Sequence, residues 1–240
     1  WSNATSGTDH SLINSGGAWN TIPVPSTAQE SVDAISNINS ERKVYTVDGS
    51  SLKKVTKENL ATDFTGTGAL TGIYNVNQRL ALLNYLGYKT TFPTTQIALT
   101  ASNITTLAVN PASPYRYLGG VVHSTPLMVT KESTVSALNT VGTRKEYTVY
   151  GSMDGGLHIV DASTGKEQSV FVPKEILDNQ YDTLASSTSK GVSGLTGLAY
   201  GVDAPWVADN TFKVQTTTSN GAAATKYIAN KMNIYGGLRM

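Results

Sequence analysis

Two aspartates and two histidines have the types and spacing that could do chemistry: Asp154 and Asp161, His123 and His158. Paired carboxylates can trade a proton as acid and base, or hold a cation. Both aspartates, however, stand in turn sequences, Met153-Asp154-Gly155-Gly156 and Asp161-Ala162-Ser163-Thr164-Gly165. An aspartate in such a turn accepts hydrogen bonds from turn amides, so a structural role is expected for each. A zinc site needs three or four ligands. The chain has 3 histidines, and the third, His10, is distant in sequence; a buried or half-buried histidine with a backbone partner is expected at 123 and 158. Ser124 adjoins His123 but lacks the G-x-S-x-G elbow of a serine hydrolase. Asp48-Gly49 and Asp154-Gly155 lack the second and third ligands of a calcium loop. No G-x-G-x-x-G or phosphate-binding loop is present, and Thr164-Gly165-Lys166 reads as a hairpin turn. The residues therefore predict no catalytic, cofactor-binding or metal-binding group.

The elements that hold these residues centre on residues 146–173, EYTVYGSMDGGLHIVDASTGKEQSVFVP. Alternation at Tyr147, Val149 and Gly151, then at Leu157, Ile159 and Asp161, then through 167–172, predicts three consecutive antiparallel strands joined by the two turns. Pro173 stops the last strand and suits the first position of a helix with Ile176, Leu177, Tyr181 and Leu184 on its apolar face. Upstream, residues 42–56 predict a hairpin about Asp48-Gly49-Ser50-Ser51, and Thr56 is placed to cap a short helix through Leu60. The spacing of Val76, Leu80, Leu83 and Leu86 predicts a helix over 77–85, with one apolar stripe docked on a sheet and Gly87 as its stop. Residues 89–114 read as a polar excursion and 119–130 as a strand. Trp19, Ile22 and Val24 predict an edge strand, and 28–38 a short helix. Residues 198–202 predict a strand, 210–214 and 226–229 a hairpin around a polar loop at 216–224, and 232–235 a separate closing strand. Trp206, after Pro205 in an expected exposed loop, is the aromatic expected on a binding face; most of the 12 tyrosines should fill the core.

Only 15% of the 240 residues are charged, the formal net charge is +1, and cysteine is absent. Disulfides, thiolate metal sites and a cysteine nucleophile are excluded. A basic face for nucleic acid is not implied, and no apolar run reaches the ~20 residues of a membrane helix. Solubility resting on Ser, Thr, Asn and Gly points to β structure with polar loops and an extracytoplasmic setting.

The run G-x-x-D-G-x-L-x-x-x-D-A-x-T-G-K resembles the blade repeat of quinoprotein-type β-propellers, with Gly151, Asp154, Gly155, Leu157, His158, Asp161, Thr164 and Gly165 as its structural positions. More narrowly, GSMDGGLHIVDASTGKEQSVFVPKEIL resembles the propeller domain of the PilC/PilY family of type IV pilus assembly and tip proteins. Three further stretches resemble that family in order: LGGVVHSTPLMV (118–129), LAYGVDAPWVAD (198–209) and NIYGGLRM (233–240). KVYTVDGSSL and LNYLGY match less well. The expected fold is mainly β: a partial propeller of antiparallel four-stranded blades with short inserted helices and long polar loops. Residues 1–40 would lead into it, and 41–240 would form an incomplete propeller from a longer secreted chain.

The resemblance implies a non-enzymatic factor of pilus biogenesis, attachment and twitching motility. Its setting would be the pilus tip, cell surface or outer membrane of a Gram-negative bacterium. Its partners would be pilins, minor pilins and a host-cell or surface ligand. The family's calcium loop has no copy here, so calcium is expected only elsewhere in a full-length protein. An alternative is a quinoprotein-like oxidoreductase. It is disfavoured because Gln168, Ser169 and Val170 stand where such enzymes commonly carry a tryptophan after the TGK turn, and because their adjacent cysteines are missing. A second alternative is an envelope assembly scaffold without adhesion.

Overall fold

A computed structural model describes residues 22–23, 25, 42–90, 99–108, 118–136, 141–184, 201–219 and 221–238. The edge strand and helix expected before residue 40 therefore lie almost wholly outside the described residues. Ile22 is an exception, and it is buried in no regular element.

The protein is mainly β. Strands β1 (Val44–Asp48), β2 (Ser51–Val55), β3 (Leu127–Ser136), β4 (Val141–Gly151), β5 (Leu157–Asp161), β6 (Glu167–Phe171), β7 (Trp206–Ser219) and β8 (Ala222–Gly236) form one curled sheet in the order β2-β1-β6-β5-β4-β3-β8-β7. Among the described residues helices are few: α1 (Val76–Leu86), α2 (Ala101–Thr105) and α3 (Lys174–Gln180), the last running into a 3-10 turn at Tyr181–Leu184. Every neighbouring pair of strands is antiparallel except β1 and β6, which are parallel over Val44↔Val170 and Tyr45↔Phe171.

The expected meander is present: β4, β5 and β6 run up, down and up through the two predicted turns. β3 adds a fourth antiparallel strand, and the sheet continues beyond both ends of this unit. The β1–β2 hairpin also forms, pairing Asp48 with Ser51, and Gly49 at φ 58° takes the left-handed conformation that such a tight turn requires.

α1 forms as predicted. Asn75 and Gln78 make a reciprocal capping box, and Gly87 at φ 107° ends the helix. It does not rest on the sheet by one stripe. Residues 78–86 are all buried, so the helix is central to the core. Two of its polar side chains reach carbonyls of neighbouring segments: Gln78 Nε2 donates to the Leu177 carbonyl (2.9 Å) and Arg79 Nη1 to the Leu60 carbonyl (2.7 Å), while Arg79 Nε is buried without a hydrogen-bond partner.

Several expectations are corrected. Thr56 and Asn59 cap each other reciprocally, but the chain makes only turns there, not a helix. Pro173 sits one place before α3, as its cap. α2 interrupts the polar excursion, capped by the Thr100 hydroxyl. β3 starts at Leu127 rather than at 119, because the amides upstream bond to a side chain instead of a strand. Of the strand expected at 198–202, residues 198–200 lie outside the described residues, and Gly201 and Val202 are in a turn. Finally, β7 and β8 are one long hairpin: Ser219 pairs with Ala222, so the polar loop expected at 216–224 is mostly strand, and 232–235 belongs to β8.

Candidate functional site

The polar residues singled out in the meander converge on a buried cluster that unites five segments of chain. Two faces of the meander must be distinguished to see why. Tyr150 pairs with His158, and His158 with Val170, so these three side chains share one face. Simple alternation would place Glu167 on the opposite face from Val170. The register shifts by one residue between Ile159 and Val160, which brings Glu167 opposite Val160 and turns it inward beside His158.

Glu167 accepts two hydrogen bonds from Arg42, Nε to Oε1 at 2.6 Å and Nη2 to Oε2 at 2.7 Å. Oε2 also lies 2.8 Å from His158 Nδ1. The other ring nitrogen, Nε2, is 2.9 Å from Ser152 Oγ and 3.3 Å from Asp154 Oδ1. Asp154 Oδ1 further accepts from the Ser152 hydroxyl, from the Gly156 amide (2.9 Å) and from the Tyr85 hydroxyl of α1 (3.0 Å); its Oδ2 accepts from the Gly119 amide (3.2 Å). The Arg42 guanidinium lies 4.0 Å from the centre of the Tyr85 ring, and the Tyr150 ring stacks on His158 at 5.1 Å. The Arg42 guanidinium and the His158 ring thus each rest on an aromatic face. The side chains of Arg42, His158 and Asp154 are fully buried, and that of Glu167 nearly so.

Ser152, His158 and Glu167 line up like a nucleophile, base and orienting acid, but the protons run the wrong way. A serine hydroxyl has one proton, and Ser152 gives it to the Asp154 carboxylate. Toward His158 its oxygen can only accept, so Nε2 carries a proton. Nδ1 faces a carboxylate and carries one too. His158 is therefore an imidazolium. Burial alone would lower its pKa, but Asp154 and Glu167 outweigh burial and raise it. Burial would likewise raise both carboxylates. His158, with Arg42 and the Ser152 hydroxyl, instead holds Asp154 well below the usual range, while Arg42 and His158 hold Glu167 down to about 2. Two cations and two anions balance in a site closed to solvent. Such a cluster fixes segments relative to one another; this serine has neither a free base nor access to a substrate.

A second node lies next to it. Asp203, buried, accepts from three consecutive amides, those of Val122, His123 and Ser124, at 2.8–3.2 Å. His123 Nδ1 is 3.0 Å from the same carboxylate, with its side chain 41% exposed. The expectation of strand histidines with backbone partners is corrected in two ways: His158 is on β5, but its ring nitrogens face the side chains of Ser152, Asp154 and Glu167, and His123 precedes β3 rather than lying on it. Ser124 Oγ accepts from the Gly151 amide at 2.9 Å, linking the node to the end of β4.

Glycine makes this closeness possible. A Cβ on Gly151 would lie 1.9 Å from the Val202 carbonyl oxygen, and one on Gly119 would lie 2.2 Å from the Asp154 amide nitrogen. Gly155 combines φ 95° with packing against Ile176 and Thr183. Leu157 is buried where β5 begins. Asp161, Thr164 and Gly165 form a separate, surface turn, in which Asp161 Oδ1 accepts from the amides of Ser163 and Thr164 at 2.9 Å and Gly165 has φ 70°. That is the structural role expected for Asp161. Trp206 is not in an exposed loop. It starts β7, half-buried, donates through Nε1 to the Val202 carbonyl at 3.2 Å and lies over Gly236, where a Cβ would sit 2.2 Å from the ring.

Sequence reading did not single out Arg42, Tyr85, Ser152, Glu167 or Asp203 for these positions. No group of three or more histidine, cysteine, aspartate or glutamate side chains suited to a metal occurs among the described residues. No described helix is long and apolar enough to cross a membrane. Compared with protein-family models, with curated proteins and with solved structures, the chain has no match.

Proposed function

We propose that this chain is part of a non-catalytic, propeller-type binding scaffold of the type IV pilus machinery, serving pilus assembly, surface attachment and twitching motility. The observation that carries the reading is the convergence of the four stretches that resemble the PilC/PilY family. Residues 118–124 are held by Asp154 and Asp203, 151–158 supply Asp154 and His158, 201–206 supply Asp203 and Trp206, and Gly236 of the last stretch lies beneath the Trp206 ring. The four stretches thus meet at one junction, as neighbouring parts of one repeat unit would, and this supports the reading.

On this reading β3 to β6, four antiparallel strands in sequence order, are one blade unit. The fully paired polar cluster stiffens that unit, and the surface loops contact pilins, minor pilins or a surface ligand outside the cytoplasm. Deleting the gene in the source bacterium tests this. Loss of attachment with normal pili would mark an adhesin, and loss of both an assembly factor. Unchanged pili and unchanged attachment would sink the proposal. A purified protein with quinone absorbance would favour the oxidoreductase alternative instead.

A further inference from the structure

The two outer strands of the sheet are built differently. β2 has 5 residues, SLKKV, and carries Lys53 and Lys54. Shortness and lysines are devices that discourage another chain from adding to an edge. β7 has 14 residues, WVADNTFKVQTTTS, with a single lysine and no proline. Among the described residues nothing pairs with its outer edge. It also exposes large apolar side chains on both faces: Val207 is 61% exposed, Phe212 41% and Val214 62%.

We propose that β7 is a self-association edge, where a second copy of this chain adds antiparallel about a two-fold axis at Thr211. The register follows from charge. A two-fold axis that joins two edge strands antiparallel stands perpendicular to the sheet, so directly opposed residues share a face and must be an even number of positions apart. With Thr211 at the centre, Asp209 opposes Lys213 of the second copy, twice. Centres at Asp209 or Lys213 would oppose like charges, which is destabilising. Centres at Asn210 or Phe212 leave both charges without an opposite charge. The Thr211 register also sets Val214 against Ala208 of the second copy and brings the two Phe212 rings together as diagonal neighbours, covering apolar surface now exposed. Asp209 and Lys213 make no ion pair among the described residues, whereas the nearby Lys226 is already paired with Glu132 at 2.8 Å.

Sedimentation equilibrium of the 240-residue chain over a wide concentration range tests the proposal. A monomer–dimer equilibrium is expected. Asp209→Lys and Lys213→Asp each convert both unlike oppositions into like ones and should weaken the dimer about tenfold. The double exchange, Asp209→Lys with Lys213→Asp, should restore the dissociation constant to within about threefold, because the charges oppose again. Both side chains are at the surface, so circular dichroism and thermal unfolding of the monomers should match the parent. A monomer at every concentration, a dimer indifferent to the single exchanges, or a double exchange no tighter than the singles would overturn the proposal.

Discussion

Glu167→Gln removes one charge from a balanced, buried set of four. The side chain keeps its shape and one acceptor oxygen, yet Arg42 and His158 are left buried with Asp154 as the one remaining anion. Breaking a buried pair on one side costs about 3–5 kcal/mol. The retained hydrogen bond places this variant near the lower value, ~3 kcal/mol. For a domain whose total stability is about 5–15 kcal/mol, that is a large fraction, and it corresponds to a melting temperature lower by roughly 6–12 °C. Urea unfolding at pH 7, followed by tryptophan fluorescence, measures it. Lys226→Ala serves as the internal comparison, because its pair with Glu132 is partly exposed and should be worth under ~1 kcal/mol. The pH dependence supplies a second readout. Glu167 is lowered from an ordinary 4.5 to about 2, so its contribution is present above 4.5 and is lost as pH falls toward 2. The variant's stability should therefore be flatter than the parent's across that window. A loss below ~1 kcal/mol, or parallel pH curves, would refute the view that this cluster holds the fold.

Other expectations follow from the same junction. Gly151→Ala would force a Cβ against the Val202 carbonyl oxygen and should cost at least ~2 kcal/mol in urea unfolding. Asp203→Asn leaves three amides sharing one acceptor oxygen; a loss of about 1–3 kcal/mol is expected, with faster hydrogen exchange at Val122, His123 and Ser124 than at β5 amides. Tyr85→Phe removes one donor to Asp154 and should cost about 1–2 kcal/mol by the same unfolding assay.

Elements governed by local pattern were readable in the sequence. The meander announces itself by alternation and two glycine turns, the first hairpin by Asp48-Gly49, and α1 by its leucine spacing and Gly87. What was hidden depends on contacts distant in sequence or on broken alternation. Glu167 looks like a surface residue of an edge until the shift at Gln168 turns it inward. The amides at 122–124 read as strand because nothing local reveals that Asp203, about 80 positions on, accepts from them. The long β7–β8 hairpin is poorly legible because Thr-rich sequence carries little hydrophobic alternation, although Asn220-Gly221 is a strong hairpin signal. Trp206 reads locally as a loop residue because its packing against Gly236 joins the two ends of that hairpin, 30 positions apart.

The charge balance of the cluster depends on His158 being a buried imidazolium rather than a neutral base. Nitrogen-15 chemical shifts of the imidazole across pH 5–9 measure this directly. Both ring nitrogens should be protonated at pH 7, the pKa should lie above the ordinary 6.5, and stability should decline as pH rises through that higher pKa, since the folded state then loses a proton it had held more tightly than the unfolded chain. A neutral ring at pH 7 with Nε2 bare and accepting from Ser152 would contradict it.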